Sequence, residues 1–271
     1  MRSAVTISLV PEARGGPFVF WDDLAAGCRH AAELGFDAVE IFPTDAEALD
    51  IPKVAKLLDS HGLKCAALGS GAGWVKRKWR LTDPDGTVRR WAIEFISQIV
   101  DAAAAFGAPA IVGSMQGRWG DGVPREQALG WLGEALDALG EHAARHGVPL
   151  LYEPLNRYET NLFNRQGEAA AFLRSLRSRN VKLLCDLFHM NIEETSIAAT
   201  LREIGSLVGH VHFVDSNRQA VGWGHTDMAP IMTALREIGY VGYLSGEVLP
   251  LPDSVAAARQ TMESFRRWTA V

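Results

Sequence analysis

The stretch "VGHVHFVDSNR", residues 208–218, is β-branched and aromatic at its start and ends in a polar turn. Side chains two apart on a strand point the same way, so His210 and His212 share one face while Val211 and Phe213 share the other. Buried imidazoles need partners, because an unpaired polar group taken out of water costs free energy. The polar side of this strand must therefore hold something that satisfies two rings. Similar short apolar runs recur along the chain: "VTISLV" (5–10), "DAVEIF" (37–42), "KCAALG" (64–69), "PAIVGS" (109–114), "PLLYEP" (149–154), "KLLCDLF" (182–188), "GHVHFV" (209–214) and "GYLSGEV" (242–248). Stretches of helical periodicity separate them, among them "WDDLAAGCRHAAELG" and "REQALGWLGEALDALGEHAARHG", with helix-stop glycines at Gly35, Gly62 and Gly147. Eight strand-then-helix units in about 250 residues is the count of a (β/α)8 TIM barrel. No Pro/Ser-rich linker or low-complexity segment interrupts the pattern, so residues 1–271 are expected to form a single TIM-barrel domain.

Composition narrows the function classes. The 271-residue chain has a formal net charge of −5 and a pI near 5.9, without the basic stripe that nucleic-acid binders usually carry. Cys28, Cys65 and Cys185 are odd in number, far apart and not in C-x-x-C spacing, which suggests neither a disulfide framework nor a zinc knuckle. The first residues, "MRSAVTISLV", hold too short an apolar run for a signal peptide, and "IVDAAAAFGAPAIVG" is broken by Asp101 and Pro109. These readings predict a cytoplasmic chain with no membrane segment.

In a TIM barrel the chemistry sits at the C-terminal ends of the strands. Glu153 ends the fifth run, Asp186 and His189 the sixth, His212 the seventh and Glu247 the eighth. Buried charges are costly unless paired or metal-bound, so Glu153, Asp186, His212 and Glu247 are expected to converge on one divalent ion. Three carboxylates and one imidazole suit Mn²⁺, with Mg²⁺ or Co²⁺ as alternatives, better than a thiolate-seeking ion. His212 would be the ligand, and His210, one pleat deeper, would support it or belong to the core.

The motifs "EPLNRYE", "CDLFHM", "GHVHFVDSNR" and "GEV" resemble those of the xylose isomerase-like barrel superfamily, most closely its ketose 3-epimerase branch. The resemblance runs from about residue 31 to 250 and is densest over 148–248. It implies that Glu153, Asp186, His212 and Glu247 bind the metal, that Glu153 and Glu247 also act as the catalytic acid/base pair, and that Glu159, His189 and Arg218 contact a sugar substrate. It further implies a homo-oligomer, dimer or tetramer. Moving a proton beside a ketone needs a base, an acid and something to hold enediolate charge. Two glutamates on opposite faces would invert the carbon, giving metal-dependent C3 epimerisation of a free ketose through a cis-enediolate. A single base, or transfer between adjacent carbons, would give an aldose–ketose or hydroxypyruvate-type isomerase instead.

Other residues read two ways. Without the resemblance Glu159 is a solvated loop acid and Arg218 a surface arginine. His225 in "GWGHTD" is a possible substrate contact; Glu40 either reaches the rim or pairs with a neighbouring strand. Trp74, Trp79 and Trp119 would either cover a sugar face or pack locally. The segment "WVKRKWR" (74–80) interleaves basic and aromatic residues, a nucleic-acid signature. An abasic-site endonuclease barrel, however, needs a three-metal cluster with histidines after the third and fourth strands, and "ALGSGAG" and "VGSMQG" contain none. The last strand's loop, "VLPLPDS", has two prolines without N–H donors, which favours a free sugar over a sugar phosphate; Gly222 and Gly224, after the seventh strand, weigh the other way.

Overall fold

The computed structural model describes residues 1–120 and 122–270. Its strands are β1 (Arg2–Ser8), β2 (Phe20–Trp21), β3 (Ala38–Phe42), β4 (Lys64–Gly69), β5 (Ala110–Val112), β6 (Leu150–Tyr152), β7 (Val181–Asp186), β8 (Val208–His212) and β9 (Tyr243–Gly246). Each of β3 to β9 pairs in parallel with its predecessor around the ring, and β1 pairs with both β3 and β9, which closes an eight-stranded barrel. The two-residue β2 is an outrigger on the end of β1 and stands outside the ring. It had no counterpart among the expected strands, being too short to show a period.

The expected strand ends shift where chemistry takes over. The run 109–114 shrinks to Ala110–Val112 because Gly113 leaves the extended region and a 3₁₀ turn, Ser114–Gln116, follows. Glu153 and Glu247 lie just past β6 and β9 rather than within them. The run 182–188 stops at Asp186, whose side chain caps the helix Leu187–Glu193. Helix ends are built as their residues dictate. Asp23, Asp50, Asp85 and Asp253 each accept a first-turn backbone N–H, and Gly35 ends the helix Leu24–Leu34 in the left-handed region, φ 86°.

Most of the core lies between the barrel and its helices, where outward residues such as Val5, Ile7, Val39, Ile41, Val211 and Phe213 are buried. Inside the ring the packing is smaller: Phe42, Ala67, Ile111, Leu151 and Leu184 form one cluster, and Ala4, Ala38, Ala66 and Tyr243 another. Cys28, Cys65 and Cys185 are buried free thiols. Among the described residues no helix is long and apolar enough to cross a membrane.

Gly69 shows how tight the interior is, for a methyl group there would overlap the Phe42 ring. Overpacking of this kind costs about 1–3 kcal/mol. Gly69→Ala is expected to lower the unfolding free energy by that amount in urea titration; unchanged stability would mean that Phe42 swings away freely.

Candidate active site

The site is assembled from four strand ends. β8 sets His212 level with Asp186 in the parallel register to β7. Asp186 divides its carboxylate: Oδ1 accepts the backbone N–H groups of Phe188 and His189 at 2.7 and 3.1 Å, while Oδ2 lies 3.1 Å from His212 Nδ1. Glu153 Oε1 and Glu247 Oε2 approach the same nitrogen to 3.5 and 3.4 Å. One donor atom from each of Glu153, Asp186, His212 and Glu247 fits within 4.8 Å of all the others, and all four residues are buried.

Glu40 resolves the pair of imidazoles. Its carboxylate, wholly buried, accepts from His210 Nε2 at 2.7 Å and from His212 Nε2 at 3.0 Å. A carboxylate only accepts, so the Nε2 hydrogen of His212 is fixed on the Glu40 side and Nδ1 is turned toward the three site carboxylates. This is the carboxylate–histidine arrangement that orients metal-binding imidazoles. Glu40 reaches neither the rim nor a neighbouring strand; it spans the barrel interior from β3 to β8, a partnership that linear spacing does not reveal.

The charges are strongly coupled. Burial works against ionising Glu40 and Asp186, yet the adjacent histidines hold both well below the usual carboxylate range. Burial also disfavours a charged His212, but Glu247, Glu40 and the hydrogen bonds of Asp186 and Glu153 outweigh it and hold its pKa well above the ordinary value. Glu247 goes the other way: burial, with Glu153 and Asp186 close by, pushes it up to about 8. With three buried carboxylates around one nitrogen, Glu247 and His212 thus hold protons where a cation would otherwise sit. Hard oxygens with one imidazole fit Mn²⁺, Mg²⁺ or Co²⁺, so the donor set suits a divalent ion.

Beside this cluster a cavity of about 180 Å³ opens toward the rim. Glu153, Glu159, His189, Arg218 and Glu247 are among its polar lining residues, and Phe18, Phe42, Val75 and Leu155 among its apolar ones. His189 Nδ1 accepts from the Asn156 side-chain amide at 2.8 Å and from its backbone N–H at 3.3 Å. The hydrogen of that ring is therefore on Nε2, which is buried, lacks a hydrogen-bond partner and lies 4.0 Å from Glu153 Oε1. Arg218 is held by Glu159 at 3.3 Å and by Glu247 at 3.6 Å, its guanidinium 4.8 Å from the Phe188 ring centre. Its Nε is a second buried donor without a partner.

The backbone around Glu153 is braced by Gln116, whose side-chain amide donates to the Gly113 and Glu153 carbonyls at 3.0 and 2.9 Å and accepts the Tyr152 hydroxyl at 2.7 Å. Gly113 is a glycine for a local reason: a Cβ there would run into Glu153 Oε2. Neither residue stood out in the sequence, since a Gly-Ser-Met-Gln-Gly turn has no titratable group. Phe18 and Pro17 were missed because they lie in the β1 loop, outside any strand end.

Other candidates lie elsewhere. His225 faces a separate surface depression with Asn191 and Thr195, so it is not a wall of this cavity. Trp79 packs on Trp91 and Phe95, Trp74 lies against the core, and Trp119 donates to the Asn161 carbonyl; none lines the cavity. In the 74–80 segment Arg77 stacks over Trp79 and Lys78 over Trp74, so both its indoles are engaged by basic neighbours, while Arg80 pairs with Asp83.

A profile of the family described as "Xylose isomerase-like TIM barrel" matches residues 28–268. The chain belongs to this family. An L-ribulose 3-epimerase from Methylomonas sp. (strain DH-1) is 31% identical over 243 residues, covering 86% of this chain and 83% of that protein. A D-psicose 3-epimerase from Agrobacterium fabrum is 31% identical over 242 residues, covering 85% and 78%. Among solved structures, a D-allulose 3-epimerase from Methylomonas sp. superimposes with a TM-score of 0.83 at 27% identity over 98% of both chains. This xylose isomerase-like barrel is accordingly an enzyme of the isomerase class, with ketose 3-epimerases as relatives.

Protons on Glu247 and on His212 Nδ1 occupy the positions that a cation requires, so metal binding must release them. With Glu247 near 8 and His212 raised, the apparent affinity for Mn²⁺ is expected to fall as pH drops from 8 to 6, by up to about tenfold per pH unit for each proton displaced. Calorimetric Mn²⁺ titrations at several pH values check this, and an affinity independent of pH would contradict the proton-for-metal exchange.

Proposed function

We propose that the chain epimerises a free ketose at C3 through a cis-enediolate, with Glu153 and Glu247 as acid and base on opposite faces of the sugar. The observation that carries this reading is that both glutamates edge one cavity and stand 3.5 and 3.4 Å from the same imidazole nitrogen while arriving from β6 and β9, on either side of the β7–β8 pair. Relatives named as 3-epimerases support the same chemistry.

The ion would be held by Glu153, Asp186, His212 Nδ1 and Glu247, with Mn²⁺ the first expectation, and would supply Lewis-acid stabilisation of enediolate charge. One glutamate takes the C3 proton and becomes the neutral acid; the other, protonated, returns a proton to the opposite face. Nothing is gained or lost by the sugar, and the two carboxyls finish with their protonation exchanged. His189 Nε2–H donates to a substrate oxygen, its tautomer set by Asn156. Arg218, steadied by Glu159 and standing beside Glu247, donates to another oxygen. The apolar wall of Phe18, Phe42, Val75 and Leu155 meets the C–H surface of the sugar and excludes water.

A free sugar fits better than a phosphorylated one. Arg218 is the one permanent cation among the described residues lining the cavity, and it is already engaged by two glutamates. The nuclease alternative has no support here: the cavity wall at the β4 and β5 ends is Gly69, Ser70, Gly71, Gly113 and Ser114, without an imidazole or carboxylate for further metal ions.

Purified protein is expected to carry about one divalent ion per chain, lost in Asp186→Asn or His212→Ala; elemental analysis showing full metal in both variants would remove the site as drawn. The mechanism is tested in D₂O with free ketohexoses and ketopentoses, where solvent deuterium is expected at the inverted carbon. Glu153→Gln and Glu247→Gln should each lose at least about 10²-fold in turnover, as for a removed general acid or base. Unlabelled epimer from the unmodified enzyme would rule out the two-glutamate route, and an aldose product would redirect the assignment to aldose–ketose isomerisation.

A further inference from the structure

A second group of metal-ligating side chains lies on the outside of the barrel. The helix Arg125–Arg145 carries His142 in its last turn and is capped by His146, four residues on, so the two rings share one face. On the neighbouring helix, Gly86–Ala104, Asp101 lies in the final turn. Its Oδ1 is 2.6 Å from His142 Nε2 and 2.9 Å from His146 Nε2, and these donor atoms lie within 4.8 Å of one another. The rings are edge-to-face at 5.3 Å. Helices of this fold run back from the catalytic rim, so their C-terminal ends lie at the opposite end of the barrel.

We propose that Asp101, His142 and His146 form a second cation site, selective for a borderline divalent transition ion of the Zn²⁺ type. Two imidazoles and a carboxylate, with water in the fourth position, are a common zinc donor set. Nitrogen-rich ligation distinguishes this cluster from the oxygen-rich centre at the rim and favours Zn²⁺ over Mn²⁺ or Mg²⁺. The position adds a second argument: two helix C-termini, each the negative end of a macrodipole, meet here. An ion bridging them would staple the two helices where the chain turns toward β5 and β6. The present hydrogen bonds show what has to change. Arg145 Nη2 donates to His142 Nδ1 at 2.7 Å, which keeps the ring hydrogen on Nε2. For Nε2 to bind an ion that hydrogen must move to Nδ1, and the exposed Arg145 must turn into solvent. Arg145 therefore opposes the ion, and a carboxylate in its place would accept Nδ1–H and support it.

The test uses Mn²⁺-loaded enzyme dialysed against micromolar Zn²⁺, with both metals counted by elemental analysis and thermal unfolding recorded. The unmodified protein is expected to take up one Zn²⁺ per chain more than the His142→Ala/His146→Ala variant or Asp101→Ala. Zn²⁺ should raise its Tm by several degrees, a shift absent from both variants, as ligand linkage requires. Arg145→Glu should bind Zn²⁺ about tenfold more tightly, and turnover should be the same in all four proteins. Equal zinc counts in the unmodified and double-variant proteins, or a Tm of the unmodified protein that ignores Zn²⁺, would reduce the cluster to a pair of ion-paired helix ends and overturn the proposal.

Discussion

Like-charge repulsion governs the mouth of this barrel. Glu153, Asp186 and Glu247 crowd their oxygens around His212 Nδ1 in a buried setting, where unscreened carboxylates repel strongly. In the protein alone the conflict is relieved by protons, on Glu247 and on His212. The same crowding makes a doubly charged ion a better solution than any single proton. It also explains why the surroundings are built so firmly: Gln116 clamps the Glu153 backbone carbonyl, Gly113 clears space for its carboxylate, and Glu40 fixes the ring of His212 from behind. Groups that repel one another stay together only if the scaffold costs more to distort than the repulsion releases.

Glu40 extends this logic below the site. A carboxylate without access to water is stabilised by two Nε2–H donors on one strand, and each ring is in turn held by its Nε2–H. The fold thereby transmits orientation from its dry interior to the rim along a single column of inward side chains. His189, the imidazole that lines the cavity, is set in an analogous way from the side by Asn156, so that its hydrogen is assigned by a neighbour rather than by solvent.

The barrel could be read from the sequence because eight β-branched runs alternate with amphipathic stretches, a period-2 and period-3.6 contrast that local chemistry imposes. The four strand-end residues were legible for a related reason, each being an ionisable side chain closing an apolar run. What escaped has no such linear mark. Glu40 was visible, but its partners lie 170 residues away across the ring. Gly113 and Gln116 matter through shape and backbone hydrogen bonds rather than charge, and Phe18 enters from a loop. His225 was misplaced for the converse reason: lying downstream of the right strand does not determine which side of the loop a residue faces. The aromatics of 74–80 looked available only because their cation–π partners, Arg77 and Lys78, are neighbours whose stacking depends on the local turn.

Asp186 serves as a ligand candidate with one oxygen and as a helix cap with the other. The first turn of Leu187–Glu193 is therefore hinged on a carboxylate whose electron density depends on what occupies the mouth. A cation on Oδ2 would compete with the two backbone N–H groups for that density. His189 sits on that turn, its backbone N–H held by the same Asp186 oxygen that caps it. One carboxylate thus ties the donor set of the barrel mouth to the helix that carries a wall of the cavity beside it.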